Sequence, residues 1–394
     1  MSTSALATDS GLPKVSIRTL ANVFLRLGAT SFGGPAAHVA LMEDELVRRR
    51  AWLTHAEFLD LLGATNLIPG PNSTEMAIHI GHRVAGWRGL VVAGACFILP
   101  SAVMVAILAW VYVAYHQLPA VTGILYGVKP VVIAIVLQAL WRLGRSALRT
   151  PLLIAAAAAG TALSAIGIHE LVVLFGVGFA VPVLRGFIGR VRAPRASSFA
   201  LLAFQTIPAA GAAVAATPVG LWPMFLFFLK VGSVLFGSGY VLLAFLRADL
   251  VERYGWLSEQ QLLDAIAIGQ VTPGPVSTAA TFIGFVLAGP GGAAIATAGI
   301  FLPAFVFVAL SVPLLPRLRR SPVAGAFLDG VNAASLALMA VVTVQLGRAA
   351  LIDWLTVAVT AASAVALFTW RVNATWLVLG GAVIGLGRSA ILGG

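Results

Sequence analysis

The sequence predicts an all-α polytopic membrane protein of two inverted-topology repeats, each with two re-entrant or broken helix hairpins plus about four transmembrane helices. Three observations predict it. The 394 residues are 60% hydrophobic and 10% charged, with a mean hydropathy of +0.98, whereas soluble domains carry roughly 25% charged residues. Pro69-Gly70-Pro71 recurs as Pro273-Gly274-Pro275, 204 positions on, and from Phe24 to Thr74 that offset keeps 18 identities in 51 gapless positions. After one deleted residue, Ile80-Gly81 matches Ile283-Gly284 and Leu99-Pro100 matches Leu302-Pro303. Third, the bias of basic residues between loops reverses from one copy to the other. Duplicated membrane units with chain breakers at matching depths are the sequence mark of a transporter.

The first repeat spans residues 1–198, a linking transmembrane segment 199–220, and the second repeat 221–394. In the first, an apolar stretch over 15–32 meets Gly33-Gly34-Pro35, and a second helical stretch runs to Arg50. Thr54-x-x-Glu57 is a capping-box pattern that starts a short helix to about Ile68. Pro69-Gly70-Pro71 breaks it, and Asn72-Ser73-Thr74 open another short helix to about Ala85. Elements of this length cover only about 20 Å, too little to cross a bilayer. The pair around each Pro-Gly-Pro is therefore expected to be re-entrant, a backbone tolerated at depth only beside protein or a wet cavity. Longer apolar helices follow at about 89–115, 119–141, 151–168 and 171–187, and the order repeats from about Leu221.

Charge supplies orientation. Arg48, Arg49, Arg50, Arg83 and Arg88 share a side with Arg142, Arg145, Arg149, Arg185, Arg190, Arg192 and Arg195, which the positive-inside rule makes cytoplasmic. In the second copy the strongest cluster, Arg317, Arg319 and Arg320, falls in the counterpart of the neutral Gln117 loop. The odd crossing at 199–220 would turn the second repeat over. The net charge of +11 is spread as short clusters between apolar runs, the pattern of topology signals, and this excludes a nucleic-acid partner. Membrane lipids are the expected surroundings. Cys96 is the only cysteine, so no intrachain disulfide forms. The first 14 residues lack the apolar core of a cleavable signal peptide.

Phe32-Gly33-Gly34-Pro35, the run Asn66-Leu67-Ile68-Pro69-Gly70-Pro71-Asn72 and the weaker copy Thr272-Pro273-Gly274-Pro275 resemble the chromate ion transporter family in its long two-domain form. The resemblance covers both halves. It implies a multi-pass protein of the bacterial inner (plasma) membrane that exports chromate, is driven by the proton gradient and is sensitive to sulfate. The second copy departs from the fuller motif, with Ser238-Gly239 for Gly34-Pro35 and Val276 for Asn72.

A tetrahedral dianion in mid-membrane loses its hydration and needs hydrogen-bond donors and positive potential in return. Helix N-terminal amides supply both, and Pro71 suits a first helical position. The substrate-binding candidates are therefore Gly33, Gly34, Pro69, Gly70, Pro71, Asn72, Ser73 and Thr74, with Gly237, Pro273, Gly274, Pro275, Ser277 and Thr278 from the other copy. The blander reading makes Pro-Gly-Pro a simple kink. Arg26 and Lys230 are equivalent cations inside apolar sequence; they attract the dianion or are structurally paired. Glu75, with His79 and His82 at i+4 and i+7, forms a proton-relay candidate, and Glu75 could equally pair with Arg26. Asp60 and Asp264 recur before the breaks as coupling or structural carboxylates, and Asn66 and Gln270 precede the breaks by three residues. Glu45 and Arg49, with Asp249 and Arg253 in the second copy, have the spacing of helical salt bridges. No zinc motif, Gly-x-Ser-x-Gly elbow or Walker loop is present, so no enzyme, cofactor or resident metal is expected. A passive anion channel is the alternative to an antiporter, sulfate the alternative substrate, and a homodimer is left open.

Overall fold

The computed structural model describes residues 15–116, 118–188, 219–236, 241–319, 321–370 and 372–391. The described residues are helical with no strand. The first copy contains α1 (Ile17–Thr30), α2 (Gly34–Glu43), α3 (His55–Thr65), α4 (Asn72–Tyr115), α5 (Pro119–Ala147), α6 (Pro151–Ala165) and α7 (Glu170–Ile188). The second contains α8 (Leu221–Ser233), α9 (Leu242–Leu246), α10 (Glu259–Val271), α11 (Ala279–Arg319), α12 (Pro322–Ala350), α13 (Trp354–Thr369) and α14 (Ala374–Ile391). Gly237 and positions 199–218 of the linking segment lie outside the described residues, as do Lys14, Gln117, Arg190, Arg192, Arg195, Ser238, Gly239 and Arg320.

The local signals explain the helix starts. Thr54 and Glu57 close a reciprocal capping box on α3, and Ser258 and Gln261 do the same on α10. α2 begins at Gly34, which like Gly33 before it has positive φ, and continues into a π-helical turn, Asp44–Arg49. The ion pairing there departs from the expected one. With i→i+5 geometry, Glu45 meets Arg50 at 2.6 Å, while Arg49 turns to Asp44 at 2.8 Å. In the second copy Asp249 does pair with Arg253.

α4 is two helices joined at Ala85 and Gly86, the latter at φ +63°. The chain folds back there, so a side chain at Gly81 would strike the Gly89 carbonyl. α11 repeats the turn at Ala288 and Gly289, with Gly284 against Gly292. The stretch after each Pro-Gly-Pro is thus a short helix ending in a tight reversal, as the sequence predicts. Among the described residues, five helices are long and apolar enough to cross a membrane: α4, α5, Val276–Val312, α12 and α14. α6 and α13 are apolar but shorter than the predicted spans, ending at Ala165 and Thr369.

The two copies interlock. α1 packs on α4 and its equivalent α8 on α11, and α4 and α11 meet each other. α5, however, lies against α13 and α14 of the other copy, and α12 lies against α6 and α7. Backbones touch at Gly123 and Gly127 of α5 against Gly381 and Gly385 of α14, the close approach small residues permit between membrane helices. α5 and α12, which hold equivalent positions, run antiparallel. One cavity wall joins 143–147 of α5 to 329–339 of α12, and another joins 122–129 to 349–350.

Candidate functional site

The two Pro-Gly-Pro breaks cross-link the copies. The Gly70 amide donates to the Leu235 carbonyl at 2.7 Å, and the Gly274 amide donates to the Ser31 carbonyl at 2.8 Å. Ser31 and Leu235 are equivalent positions at the ends of α1 and α8. Each break therefore bonds to the region just after a helix end of the opposite copy.

Around the second break that region is lined with hydroxyls. Thr278 donates its hydroxyl proton to the Pro275 carbonyl at 2.7 Å, so Ser101, at 3.0 Å, donates to Thr278. The hydroxyls of Ser31, Thr74 and Ser277 are buried without a hydrogen-bond partner among the described residues. Buried polar groups are ordinarily bonded, so these atoms are available to a guest.

Pro71 is the N-cap of α4 and not its first helical residue. Its carbonyl accepts from the Thr74 and Glu75 amides, so Asn72 and Ser73 carry the amides without an intrahelical acceptor. The expected amide donor at Thr74 is thus already used. The second break starts with a 3-10 turn, Val276–Thr278, in which the Thr278 amide bonds to the Pro275 carbonyl at 3.0 Å.

Glu75 is fully buried, and neither carboxylate oxygen has a hydrogen-bond partner among the described residues. It lies against Gly70, whose φ is +148° and whose missing side chain leaves the space the carboxylate fills. The alternative pairing with Arg26 does not form. Arg26 meets Glu45 at 2.5 Å with a 55% exposed side chain, and Lys230 meets Asp249 at 2.5 Å. Both cations stand in equivalent ion-paired clusters, joined by Arg50 and Arg253 respectively. His79 is buried, with Nε2 3.5 Å from Ser311 Oγ of α11, and His82 packs edge-on against Trp87.

The recurring aspartates part company. Asp60 is exposed, whereas Asp264 is buried and bonded to Lys129 at 2.8 Å and to the Tyr112 hydroxyl at 3.0 Å. Asn72 donates to Asn66 at 3.1 Å, and the Gln270 side-chain nitrogen is buried without a partner.

Cavities lie at both ends of α5, and two of them touch residues beside the breaks. One of about 570 Å³ is lined by Asn66 and Asn72 beside the first break, with Arg149, Arg185, Asp329 and Asn332 on its walls. A second, of about 650 Å³, opens onto Phe32 and Gly33 with Arg142 and Arg145. A third, of about 300 Å³, holds Lys129 and Asp264. Near the first, Arg185 pairs with Asp329 at 2.9 Å. Its equivalent, Arg388, lies over the Tyr126 ring at 4.0 Å. Tyr126 bonds to Asp353, and that hydroxyl, with the Thr356 amide, holds the Asp353 carboxyl below the usual range.

Sequence reasoning passed over Lys129, Ser101, Ser31 and Tyr112. Lys129 was open to detection, because a lone cation in an apolar run is the signal that singled out Arg26 and Lys230. The hydroxyls carried no such mark.

Comparison with known proteins adds the family. The profile described as Chromate transporter matches residues 18–182 and 222–386. The chain is 32% identical to a chromate transport protein of Cupriavidus metallidurans, over 98% of this chain and 96% of that protein. It is 33% identical to a chromate transport protein of Pseudomonas aeruginosa, over 92% and 90%. It is also 33% identical to a probable chromate transport protein of Synechococcus elongatus, over 86% and 87%. No solved structure matches the chain.

Proposed function

The chain belongs to the chromate transporter family, and from that premise we propose that it is a secondary active transporter exporting chromate across the bacterial inner membrane. Export is coupled to the proton gradient, and sulfate, of the same shape and charge, competes. The observation that carries the reading is the reciprocal bonding of Gly70 to Leu235 and Gly274 to Ser31. It supports one shared polar locus over two separate half-sites.

In this mechanism the dianion exchanges water for the amides of Asn72 and Ser73 and the hydroxyls of Ser31, Thr74 and Ser277, with Thr278 held in place by the Pro275 carbonyl and Ser101. Pro69, Pro71, Pro273 and Pro275, with Gly33, Gly34, Gly70 and Gly274, shape the backbone around it. Helix N-termini favour negative charge most strongly where solvent is excluded. Arg26 and Lys230, already paired, set the surrounding field without touching the guest. Glu75 carries the proton, since it is the buried carboxylate beside the first break and has no hydrogen-bond partner among the described residues. His79 passes the proton towards Ser311.

Antiparallel α5 and α12 support inversion of the repeats. Unequal cavities at equivalent ends, about 570 and 300 Å³, support alternating access with one end wider. The test is chromate accumulation in inverted membrane vesicles with and without an imposed pH difference. Wild type is expected to accumulate chromate uphill, and Thr74→Val with Ser277→Ala to lose accumulation about tenfold or more, in line with ~1–3 kcal/mol for buried hydrogen bonds to a charged guest. Equilibration without uphill accumulation would instead identify a passive channel.

A further inference from the structure

The third cavity holds a buried ion pair that the central locus does not use. Lys129 of α5 reaches Asp264 of α10 at 2.8 Å and the Gln260 side-chain oxygen at 2.7 Å, while Tyr112 of α4 donates to the other carboxylate oxygen at 3.0 Å. The lysine and aspartate side chains are only 14% and 6% exposed. A salt bridge so placed is seldom worth its desolvation for stability alone, and this one borders open space of about 300 Å³.

The equivalent positions sharpen the point. Lys129 corresponds to Asn332 and Tyr126 to Asp329, both on the wall of the 570 Å³ cavity. The two cavities therefore occupy matching places at opposite ends of α5, some 14 residues or about 21 Å apart along the helix. Each holds a cation, but from different positions: Arg149 and Arg185 at one end, Lys129 at the other. Duplication alone would have copied the residue. A cation placed afresh in each cavity is what a pathway for negative charge requires at both ends.

Resting on the transport reading above, we propose that the Lys129–Asp264 pocket is a second binding site for a tetrahedral dianion, occupied together with one proton. With Asp264 ionised, Lys129 is neutralised and a carboxylate oxygen sits where the guest must go. Protonation of Asp264 removes that repulsion, frees Lys129 and turns the carboxyl into a donor beside Tyr112 and Gln260. The groups facing Asp264 are Lys129 from α5, Tyr112 and His116 from α4 and Gln260 from its own helix. α11 contributes Phe282 against the Tyr112 ring, and α12 the Ala349 carbonyl that holds Gln260. Anion affinity therefore rises as pH falls, by at most about tenfold per unit for one linked proton.

The pocket can be read without transport. Cys96 is the sole cysteine, so Cys96→Ser with Ile352→Cys leaves one reporter thiol on the cavity wall. Its rate of alkylation by N-ethylmaleimide, with sulfate or with chloride, gives a protection ratio at each pH; sulfate is chosen because it does not oxidise thiols. Sulfate is expected to protect in acid and not in alkali. Asp264→Asn should protect at both, Lys129→Gln at neither, and Lys129→Arg should restore the original pattern, which a misfolded variant would not. Protection that survives Lys129→Gln, is equal at both pH values with Asp264 intact, is absent from the parent or is absent from Asp264→Asn overturns the proposal. Normal vesicle transport without protection sinks the pocket alone; protection without transport sinks the transport reading and leaves the pocket standing.

Discussion

The two Pro-Gly-Pro breaks share a backbone and differ in where their polar atoms come from. The first carries its own: Asn66, Asn72 and Glu75 lie on its flanking helices, and its surroundings are apolar, with Leu235 at the bonded carbonyl and Ala304 packed by Ile68. The second has Val276 and Ala279 at the matching positions, and hydroxyls from outside, Ser31 and Ser101 of the first copy, join its own Ser277 and Thr278. Ser101 and Ala304 are themselves equivalent. The difference teaches that polarity is conserved for the pair and not for either member. Both breaks draw most of it from the first copy.

The comparison breaks hardest at the glycines. Gly70→Ala puts a side chain at φ +148° and into the Glu75 carboxylate, where L-residues are strained. It is expected to cost ~2–4 kcal/mol, seen as a lower unfolding temperature in detergent. If Glu75→Ala in the same chain recovers part of that loss, the contact between them is the cause; no recovery would leave backbone strain alone.

Glu75→Gln comes next and tests the asymmetry itself, because the second copy has no carboxylate there. One pH unit drives at most about tenfold accumulation per proton, ~1.4 kcal/mol. The variant is expected to bind chromate and to lose that stimulation in vesicles. Retained stimulation would move coupling elsewhere, with Asp264 as the next candidate.

Ser101→Ala has the smallest expected effect. It deprives Thr278 of its donor, and apparent chromate affinity should fall about five- to tenfold, the ~1–1.5 kcal/mol of one buried hydrogen bond. The opposite change, Ala304→Ser, should not raise affinity, since the first break already carries its polar groups. An equal response to both substitutions would mean the breaks are interchangeable.

Much of this fold is legible in the sequence because membrane duplications write themselves plainly. Pro69-Gly70-Pro71 and its copy mark the breaks, Thr54 and Glu57 mark a helix start, and the apolar runs mark the long helices. What stays hidden is relational. Nothing in the residues of α5 says that it leans on α13 and α14 and not on its own α6 and α7. The exchange of Gly70 and Gly274 with the opposite helix ends is a backbone event with no side chain to announce it. Glu45 pairs with Arg50 and not with Arg49, whereas Asp249, in the equivalent π-helical turn, keeps Arg253, because the position equivalent to Arg50 is Tyr254 and offers no second cation. Arg26 and Lys230 are visible as cations in apolar sequence, but the spacing of Glu45 and Asp249 points to other partners.

The crossed packing of α5 and α12 has a consequence for how the polypeptide matures. When a ribosome has delivered the first half, α6 and α7 still wait for α12, and α5 waits for α13 and α14. The nascent bundle must hold those greasy flanks open against lipid until the remaining segments arrive, so completion is a late, all-at-once clasp. Cutting the chain in the stretch between the halves should yield two fragments, neither able to settle by itself and each able to rescue the other when made in the same cell.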